Sequence, residues 1–500
     1  MHAGTPSPDP PGLLETHVST VVLLGDAAYK IKKAVTTPYL DWSELDQRRR
    51  ACHREVELNQ RFAPDVYRGV AEVVGPDGQV CEYMVVMRRL PEHARLSRLV
   101  RAGSDTSGPL REVAGLVAGV HAGAQEDRRE DGPGGLDAIR SRWRENLDAL
   151  AAHGASGTVS AGTLERVRAQ AEAYLDGCAE AFADRRRRGR VRDGHGDLLA
   201  DDIFVLDDGV RVLDCLEFDD SLRVGDVLGD VAFLAMDLER IGAPAAGARF
   251  LADYRKITGD DWPAGLAHHW IAYRASVRSK VAALRHDQGD RDAGRQADAL
   301  LALSHAHLEL ARPRLVLVGG LPGTGKTTTA AGLARALGWE RLSSDEVRHS
   351  PAFSGGSQKR GSDYRSDLYR PEVTDRVYQE LIARAAAHLS HGRSVVVDAS
   401  WTAEPQRVAA AEAARAAHGE LVQINCWLDP RVADERIEGR RRSGAGDSDA
   451  TPQIAAAMRA DADDWPGAHV LDTAGPVDAV VDAARSVAYP RWSEDLLARP

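Results

Sequence analysis

The sequence is poor in cysteine. Its five cysteines, Cys52, Cys81, Cys178, Cys215 and Cys426, are scattered over 500 residues, odd in number and without a Cys-x-x-Cys pair. That spacing fits free thiols in a reducing cytosol better than a disulfide framework or a zinc site. No apolar run approaches the length of a membrane span. The opening residues, MHAGTPSPDPPG, lack the basic and apolar regions of a signal peptide and read as a disordered tail over 1–12. The expectation is a cytoplasmic protein with no membrane partner. Positive charge is also in deficit, with a formal net charge of -11. An acidic surface repels long polyanions, which disfavours long nucleic acid as a partner while leaving room for small anions in local basic pockets. Arginine far outnumbers lysine, so a lysine inside a motif stands out.

A chain of this length exceeds one compact core and implies two or three domains. Residues 16–36 read as a hairpin, STVVLL turning at Gly25-Asp26 into AAYKIKKAV. Ser43 to Phe62 reads as a helix, and a second hairpin turns at Pro76-Asp77-Gly78. From Asp105 to Phe182 the pattern is helical, with Leu164, Val167, Ala171, Tyr174, Leu175, Cys178 and Phe182 on one face. A loop-strand-loop-strand passage runs from Gly194 to Asp219, and helices follow to Glu309. The polar stretch Asp287–Asp298 and Pro313 mark a boundary, giving one domain over 13–305, a linker over 306–312, a second domain over 313–490 and a tail over 491–500. In the second domain RLVLVGG, RLSSD, SVVVDAS and VQINCWL alternate with helices, the signal of a mostly parallel α/β sheet. The segment 443–451 reads as a mobile loop. The histidines at 268–269 and 305–307 lack metal-ligand spacing and read as surface or core residues.

Gly320-Leu321-Pro322-Gly323-Thr324-Gly325-Lys326-Thr327 matches G-x-x-x-x-G-K-[ST] after a strand and before a helical run beginning Thr327-Thr328. The glycines let backbone N–H groups converge on phosphate, and the helix N-terminus adds its positive end. Lys326 is expected on the β- and γ-phosphates of ATP and Thr327 on Mg²⁺. Asp398, ending SVVVDAS, is a second candidate for the metal. Ser343-Ser344-Asp345 with Arg348 stands where the next strand ends. Asp345 can take a proton from an acceptor hydroxyl and Arg348 can bind an acidic acceptor, although both also suit a helix start. Arg436, Arg440, Arg441 and Arg442 are either lid arginines over the phosphates, Arg440 foremost, or a solvated helix face. Over about 313–485 the domain resembles the small P-loop kinases of the zeta-toxin, gluconate-kinase and polynucleotide 5′-kinase groups, which implies that Asp345 is the general base.

In the first domain His195-Gly196-Asp197 precedes Asp202, and Asp214 follows a predicted strand. This spacing resembles the H-G-D-x-x-x-x-N loop and downstream aspartate of aminoglycoside phosphotransferases, within a protein-kinase-like α+β fold. The resemblance implies that Asp197 orients and deprotonates the acceptor, that Asp202 and Asp214 hold Mg²⁺, and that His195 braces the loop. It also implies a phosphate-binding lysine, assigned to Lys32 in preference to Lys30, with Glu55 as its helix partner. Asp202 stands where the family has asparagine, with Asp201 adjacent, and Leu199 replaces a frequent histidine. Asp226 and Asp230 are expected to cap a helix and brace the loop, and Glu217 to touch metal or substrate. Arg274, Arg278 and Lys280 either line a substrate pocket or form a polar helix stripe.

The whole chain resembles a fusion of these two kinase types. The expectation is a bifunctional ATP-dependent phosphotransferase with small hydroxyl-bearing acceptors. One alternative keeps a single active P-loop kinase with an N-terminal nucleotide-binding regulatory module. Another is a nucleic-acid 5′-end kinase.

Overall fold

A computed structural model describes residues 11–15, 18–37, 40–154, 157–350, 370–443 and 451–489. Residues 1–10, 444–450 and 491–500, which hold nearly all of the two expected tails and the expected mobile loop, lie outside them.

The chain opens with strands β1 (Gly12–Glu15), β2 (Ser19–Leu24), β3 (Ala27–Lys32), β4 (Thr36–Thr37), β5 (Leu40–Asp41), β6 (Tyr67–Val74) and β7 (Val80–Arg88). Five of them form an antiparallel sheet in the order β1-β2-β3-β7-β6. Both expected hairpins are present. Helix α1 (Leu45–Asn59) starts at a capping box between Glu44 and Gln47. It lays Arg48, Cys52, Glu55 and Asn59 against the sheet at i, i+4, i+7 and i+11 spacing. Arg48 pairs with Glu82 of β7 at 2.9 Å, which fixes the helix angle and so the position of Glu55 beneath β3.

The larger lobe is helical: α2 (Leu96–Arg101), α3 (Ser107–Gly123), α4 (Leu136–Gly154), α5 (Ala161–Gly177), α6 (Ala179–Arg187), α7 (Asp220–Arg223), α8 (Val227–Arg240), α9 (Pro244–Thr258), α10 (Ala264–Asp287) and α11 (Arg291–Ala311). The face read on α5 is buried in one apolar core with α8 and α10. Two short ladders interrupt the helices. Strand β8 (Val191–Asp193) pairs antiparallel with β11 (Val224–Asp226), and β9 (Ile203–Leu206) with β10 (Gly209–Val212). They draw the 194–202 loop and the 213–219 segment to one place. Of the isolated histidines, His269 lies in the core, where Trp143 Nε1 donates to it at 3.2 Å.

The expected linker 306–312 is corrected. Residues 306–311 are the last turns of α11, with Ala306, His307, Leu308, Leu310 and Ala311 buried. The polar stretch before them is a helix start: Asp290 caps α11 through the amides of Asp292 and Ala293. Asp and Asn are strong N-cap residues, so the charge cluster marked a tight turn between two packed helices and not a domain boundary.

After Pro313 the fold alternates. Strands β12 (Arg314–Gly319), β13 (Glu340–Ser343), β14 (Val395–Asp398), β15 (Glu420–Trp427) and β16 (His469–Asp472) form one parallel sheet in the order β13-β14-β12-β15-β16. Strands β12 and β14 are wholly buried, which explains their continuous apolar runs. Helices α12 (Lys326–Leu337), α13 (Ser344–Arg348), α14 (Pro371–Ser390), α15 (Glu404–Ala416), α16 (Pro430–Ser443), α17 (Pro452–Ala460) and α18 (Val477–Ala488) accompany it. The helical lobe touches this sheet domain directly. Arg393 pairs with Asp261 at 2.8 Å, and the chain at Gly177 runs so close to Ala417 that a Cβ there would lie 2.1 Å from the Ala417 carbonyl oxygen.

Candidate functional sites in the two domains

In the C-terminal domain β12 runs straight into the glycine turn and α12 begins at Lys326. Gly320, Gly323 and Gly325 have φ of 139°, 83° and 83°, and a Cβ on Gly323 would meet the Ala433 carbonyl at 2.5 Å. Only glycine allows this path. Pro322 sits in the turn, and Thr324 closes it by donating to the Leu321 carbonyl at 2.8 Å. The turn opens on a cavity of about 390 Å³ lined by Gly323, Gly325, Lys326, Thr327, Thr328 and the α16 arginines Arg436 and Arg440. Arg441 and Arg442 do not line it.

Parallel register sets Asp398, ending β14, beside Val318 of β12 and Ser343 of β13. Thr327 Oγ1 donates to Asp398 at 3.4 Å and Arg341 at 3.0 Å. Burial raises the Asp398 pKa, opposed by the Lys326 charge, the Thr327 hydrogen bond and Arg341. Arg341 carried no motif and was legible only once β13 lay beside β14. Asp345, in the first turn of α13, and Arg348 lie outside the lining of the cavity. Arg348 is buried and donates to Thr374 at 3.4 Å.

In the N-terminal domain Lys30 and Lys32 project from the same face of β3, and both reach Glu55. Lys30 Nζ lies 2.9 Å from Glu55 Oε1 and 2.5 Å from Asp214 Oδ1. Lys32 Nζ lies 2.7 Å from Glu55 Oε2, also pairs with Glu217, and sits 4.2 Å from the Trp42 ring centroid. The side chain of Lys32 is 0% exposed and that of Lys30 14%. Lys30 is therefore the one that faces Asp214, and it is the less buried of the two. Burial works against both ammonium groups, but the surrounding carboxylates overcome it and raise both pKa values.

The 194–202 loop is held from below. Asp230 accepts the amides of His195 and Gly196, each at 2.8 Å, and lies 3.0 Å from His121 Nε2, whose Nδ1 meets the Tyr254 hydroxyl at 2.8 Å. His195 Nε2 contacts the Leu213 carbonyl at 3.0 Å and the Leu216 amide donates to the His195 carbonyl at 3.0 Å, so the two segments are tied together. Asp226 caps α8 through the Leu228 amide and pairs with buried Arg185, which also holds Asp260.

Burial raises the Asp230 pKa, but the His121 contact, both histidine charges and the His195 amide outweigh it and hold Asp230 well below the carboxylate range. A carboxylate depressed in the folded state stabilises it above the unfolded pKa of about 3.9 and loses that contribution as pH falls below it. Asp230→Asn is expected to lower the denaturation midpoint at pH 7 and to differ less from wild type at pH 3.5. Equal differences at the two pH values would refute the assignment.

Asp197, Asp202 and Asp214 converge above this loop. Burial is the largest influence raising Asp197 and Asp202, the Asp214 charge pushes both further up, and Asp197 adds to the rise of Asp202. The Lys30 charge holds Asp214 low, and Asp214 has φ of 64°, a conformation that is costly for a residue with a side chain. Asp201 is turned away: its carboxylate takes a hydrogen bond from Ser97 and its carbonyl one from Arg95. Among the described residues no group of three or more His, Cys, Asp or Glu side chains forms a metal cage. Two carboxylates opposite a phosphate site are the donor set Mg²⁺ commonly uses.

These are two phosphotransferase domains of the kinase type, one built on a lysine–glutamate pair and an H-G-D loop, the other on a P-loop. Residues 41–268 match the family model described as phosphotransferase enzyme family, and residues 315–464 that of an AAA domain. The chain belongs to the family that joins an aminoglycoside phosphotransferase-like domain to a P-loop kinase domain. Its relatives include the uncharacterized protein Rv2004c of Mycobacterium tuberculosis and the uncharacterized protein Mb2027c of Mycobacterium bovis. Each is 42% identical over 470 residues, 94% of this chain and 94% of the relative. Among solved structures, a choline/ethanolamine kinase family protein from Mesorhizobium loti is 17% identical, over 61% of this chain and 92% of that one, with a TM-score of 0.39. A gluconokinase from Sinorhizobium meliloti is 20% identical, over 37% and 95%, with a TM-score of 0.27. Among the described residues no helix is long and apolar enough to cross a membrane.

Proposed function

We propose that the chain is a bifunctional phosphotransferase that uses ATP at both sites and phosphorylates a hydroxyl of a small acceptor at each. The observation that carries this reading is the meeting of Asp197, Asp202 and Asp214 opposite the Lys30–Glu55 pair, four separate elements bringing a base, two oxygen ligands and a phosphate cation together. At the N-terminal site the acceptor oxygen bonds to the γ-phosphorus while the bond to the bridging oxygen breaks. Its electron pair leaves with ADP, and the hydroxyl proton passes to Asp197. Lys30 faces the phosphates, while Lys32 fixes Glu55 and Glu217 behind it. At the C-terminal site Lys326 and Arg440 take the phosphates, Asp345 is the base and Arg348 an acceptor contact. Mg²⁺ would be held by Asp202 and Asp214 in one domain and by Thr327 and Asp398 in the other, and would neutralise phosphate charge.

A second reading makes the N-terminal half a nucleotide-binding regulatory module. Asp202 favours it, since a carboxylate in place of the family's asparagine adds negative charge beside Asp214 and the phosphates.

The test is transfer of γ-labelled phosphate from ATP into a fractionated metabolite and short-RNA pool by wild type, Asp197→Ala and Lys326→Ala. Each variant is expected to lose a different labelled product. If Asp197→Ala changes nothing while Lys326→Ala removes all label, the bifunctional reading fails and the regulatory one stands.

A further inference from the structure

We propose that the acceptor at the N-terminal site carries an anionic group, a carboxylate or a phosphate monoester, which pairs with Arg278 beside Asp197. The inference rests on the reading of Asp197 as the acceptor-side base.

Helix α10 passes the catalytic loop with Arg274 and Arg278 one turn apart on one face. Arg274 donates to the Gly229 carbonyl at 2.9 Å and the Gly196 carbonyl at 3.2 Å, and its guanidinium lies 4.7 Å from the Phe233 ring centroid. Carbonyls and an aromatic face fix the group without cancelling its charge. Arg278 Nη1 is 3.9 Å from Asp197 Oδ2, beyond hydrogen-bond reach, and its side chain is 25% exposed. It forms a loose ion pair with the catalytic carboxylate, and its donors make no hydrogen bond among the described residues.

Two further cations lie on the adjoining helices α4 and α10, next to Glu145. Arg142 of α4 donates to the Ser221 carbonyl at 3.2 Å and the Pro133 carbonyl at 2.5 Å and makes no ion pair among the described residues. Lys280 makes no hydrogen bond or ion pair there. Burial lowers the pKa of both, and the charge of Arg274 lowers Arg142 further. The acidic neighbours are engaged elsewhere: Glu145 accepts from Ser141 at 2.9 Å and Asp219 caps α7. Through the rest of the chain most described arginines meet a carboxylate, as Arg185 and Arg223 do. Beside Asp197, Arg274 and Arg278 hydrogen-bond no carboxylate among the described residues.

Guanidinium groups that hydrogen-bond no carboxylate repel a cationic acceptor and gain nothing from a neutral one. A carboxylate or phosphate on the acceptor supplies the missing partner and orients the hydroxyl toward Asp197.

The test uses the full chain carrying Lys326→Ala, so that labelled product comes from the N-terminal site. The acceptors are hydroxy acids, sugar phosphates, neutral polyols and amino alcohols. Asp197-dependent product is expected from anionic acceptors alone, and the first two groups separate carboxylate from phosphate. Arg278→Gln should raise the acceptor KM about 10- to 100-fold, the range of a charge-assisted hydrogen bond, with KM for ATP unchanged and Arg278→Lys recovering part of the loss. Product from polyols or amino alcohols alone overturns the proposal, as does an effect of Arg278→Gln on ATP instead of acceptor. Calorimetry with glycerol 3-phosphate and lactate, in the presence of a non-hydrolysable ATP analogue, reads the pocket without turnover. Arg278-dependent anion binding with no transfer to any acceptor keeps the anionic pocket and sinks the phosphotransfer reading of this half. Neither binding nor transfer sinks both.

Discussion

Asp197→Ala is expected to cut transfer at the N-terminal site by about 10²–10⁴-fold, the usual contribution of a positioned base, while ATP affinity holds. The loop does not depend on the Asp197 side chain for its shape. Asp230 holds the His195 and Gly196 amides, and Leu216 holds the His195 carbonyl. The substitution therefore removes a proton acceptor from an intact frame. Burial raises the pKa of Asp197 and Arg278 opposes it, which leaves a stronger base than a free carboxylate. Asp197→Asn should fall as far as alanine, because an amide keeps the size but takes no proton. The measurement is kcat in the Lys326→Ala background with a saturating acceptor. Retention of activity within about tenfold in both variants would show that the hydroxyl loses its proton elsewhere.

The second large effect is on stability. Arg185 is buried between two buried carboxylates. It pairs with Asp226 at 2.5 and 2.9 Å and with Asp260 at 2.7 and 2.8 Å. Arg190 gives Asp260 partial cover at 3.2 Å, whereas among the described residues Asp226 has only Arg185 and the amide it caps. Breaking a buried pair by removing one partner costs about 3–5 kcal/mol, because the remaining charge stays desolvated. For Arg185→Met this corresponds to a fall of roughly 6–20 °C in the thermal midpoint of the N-terminal domain. Asp226 starts α8, which carries Asp230, so the loss should spread to the catalytic loop and lower N-terminal product while sparing C-terminal product. Scanning calorimetry reads the first effect and labelled transfer the second. A midpoint within about 2 °C of wild type would mean that the two carboxylates find other partners.

The P-loop was legible because its parts are contiguous: Gly320 to Thr327 is at once the glycine turn and the helix start. Asp398 was legible as the end of a buried strand. The H-G-D loop and Asp214 could be read from spacing, and so could the structural roles of Asp226 and Asp230. The lysines were harder, because residues two apart on a strand share a face. The sequence does not say which of Lys30 and Lys32 meets Asp214 and which is sealed against Trp42. Arg185, His121 and Arg341 were out of reach for another reason. Each is an ordinary residue in its own segment, and its partner lies on an element brought near only by folding. Residues 306–311 misled because an acidic helix cap and a polar linker have the same composition. Strand β16 was missed because an exposed four-residue edge strand has no apolar alternation to read.

The approach of Gly177 to Ala417, with the Arg393–Asp261 pair nearby, has a hydrodynamic consequence. A flexible tether would let the two domains tumble independently. Here they meet backbone to backbone, and α11 enters β12 with only Arg312 and Pro313 between. The protein therefore reorients in solution as one particle, and the openings of its two sites keep a fixed bearing to each other during that motion. A small molecule passing from one site to the other would diffuse around the body, not be carried across by the domains swinging together.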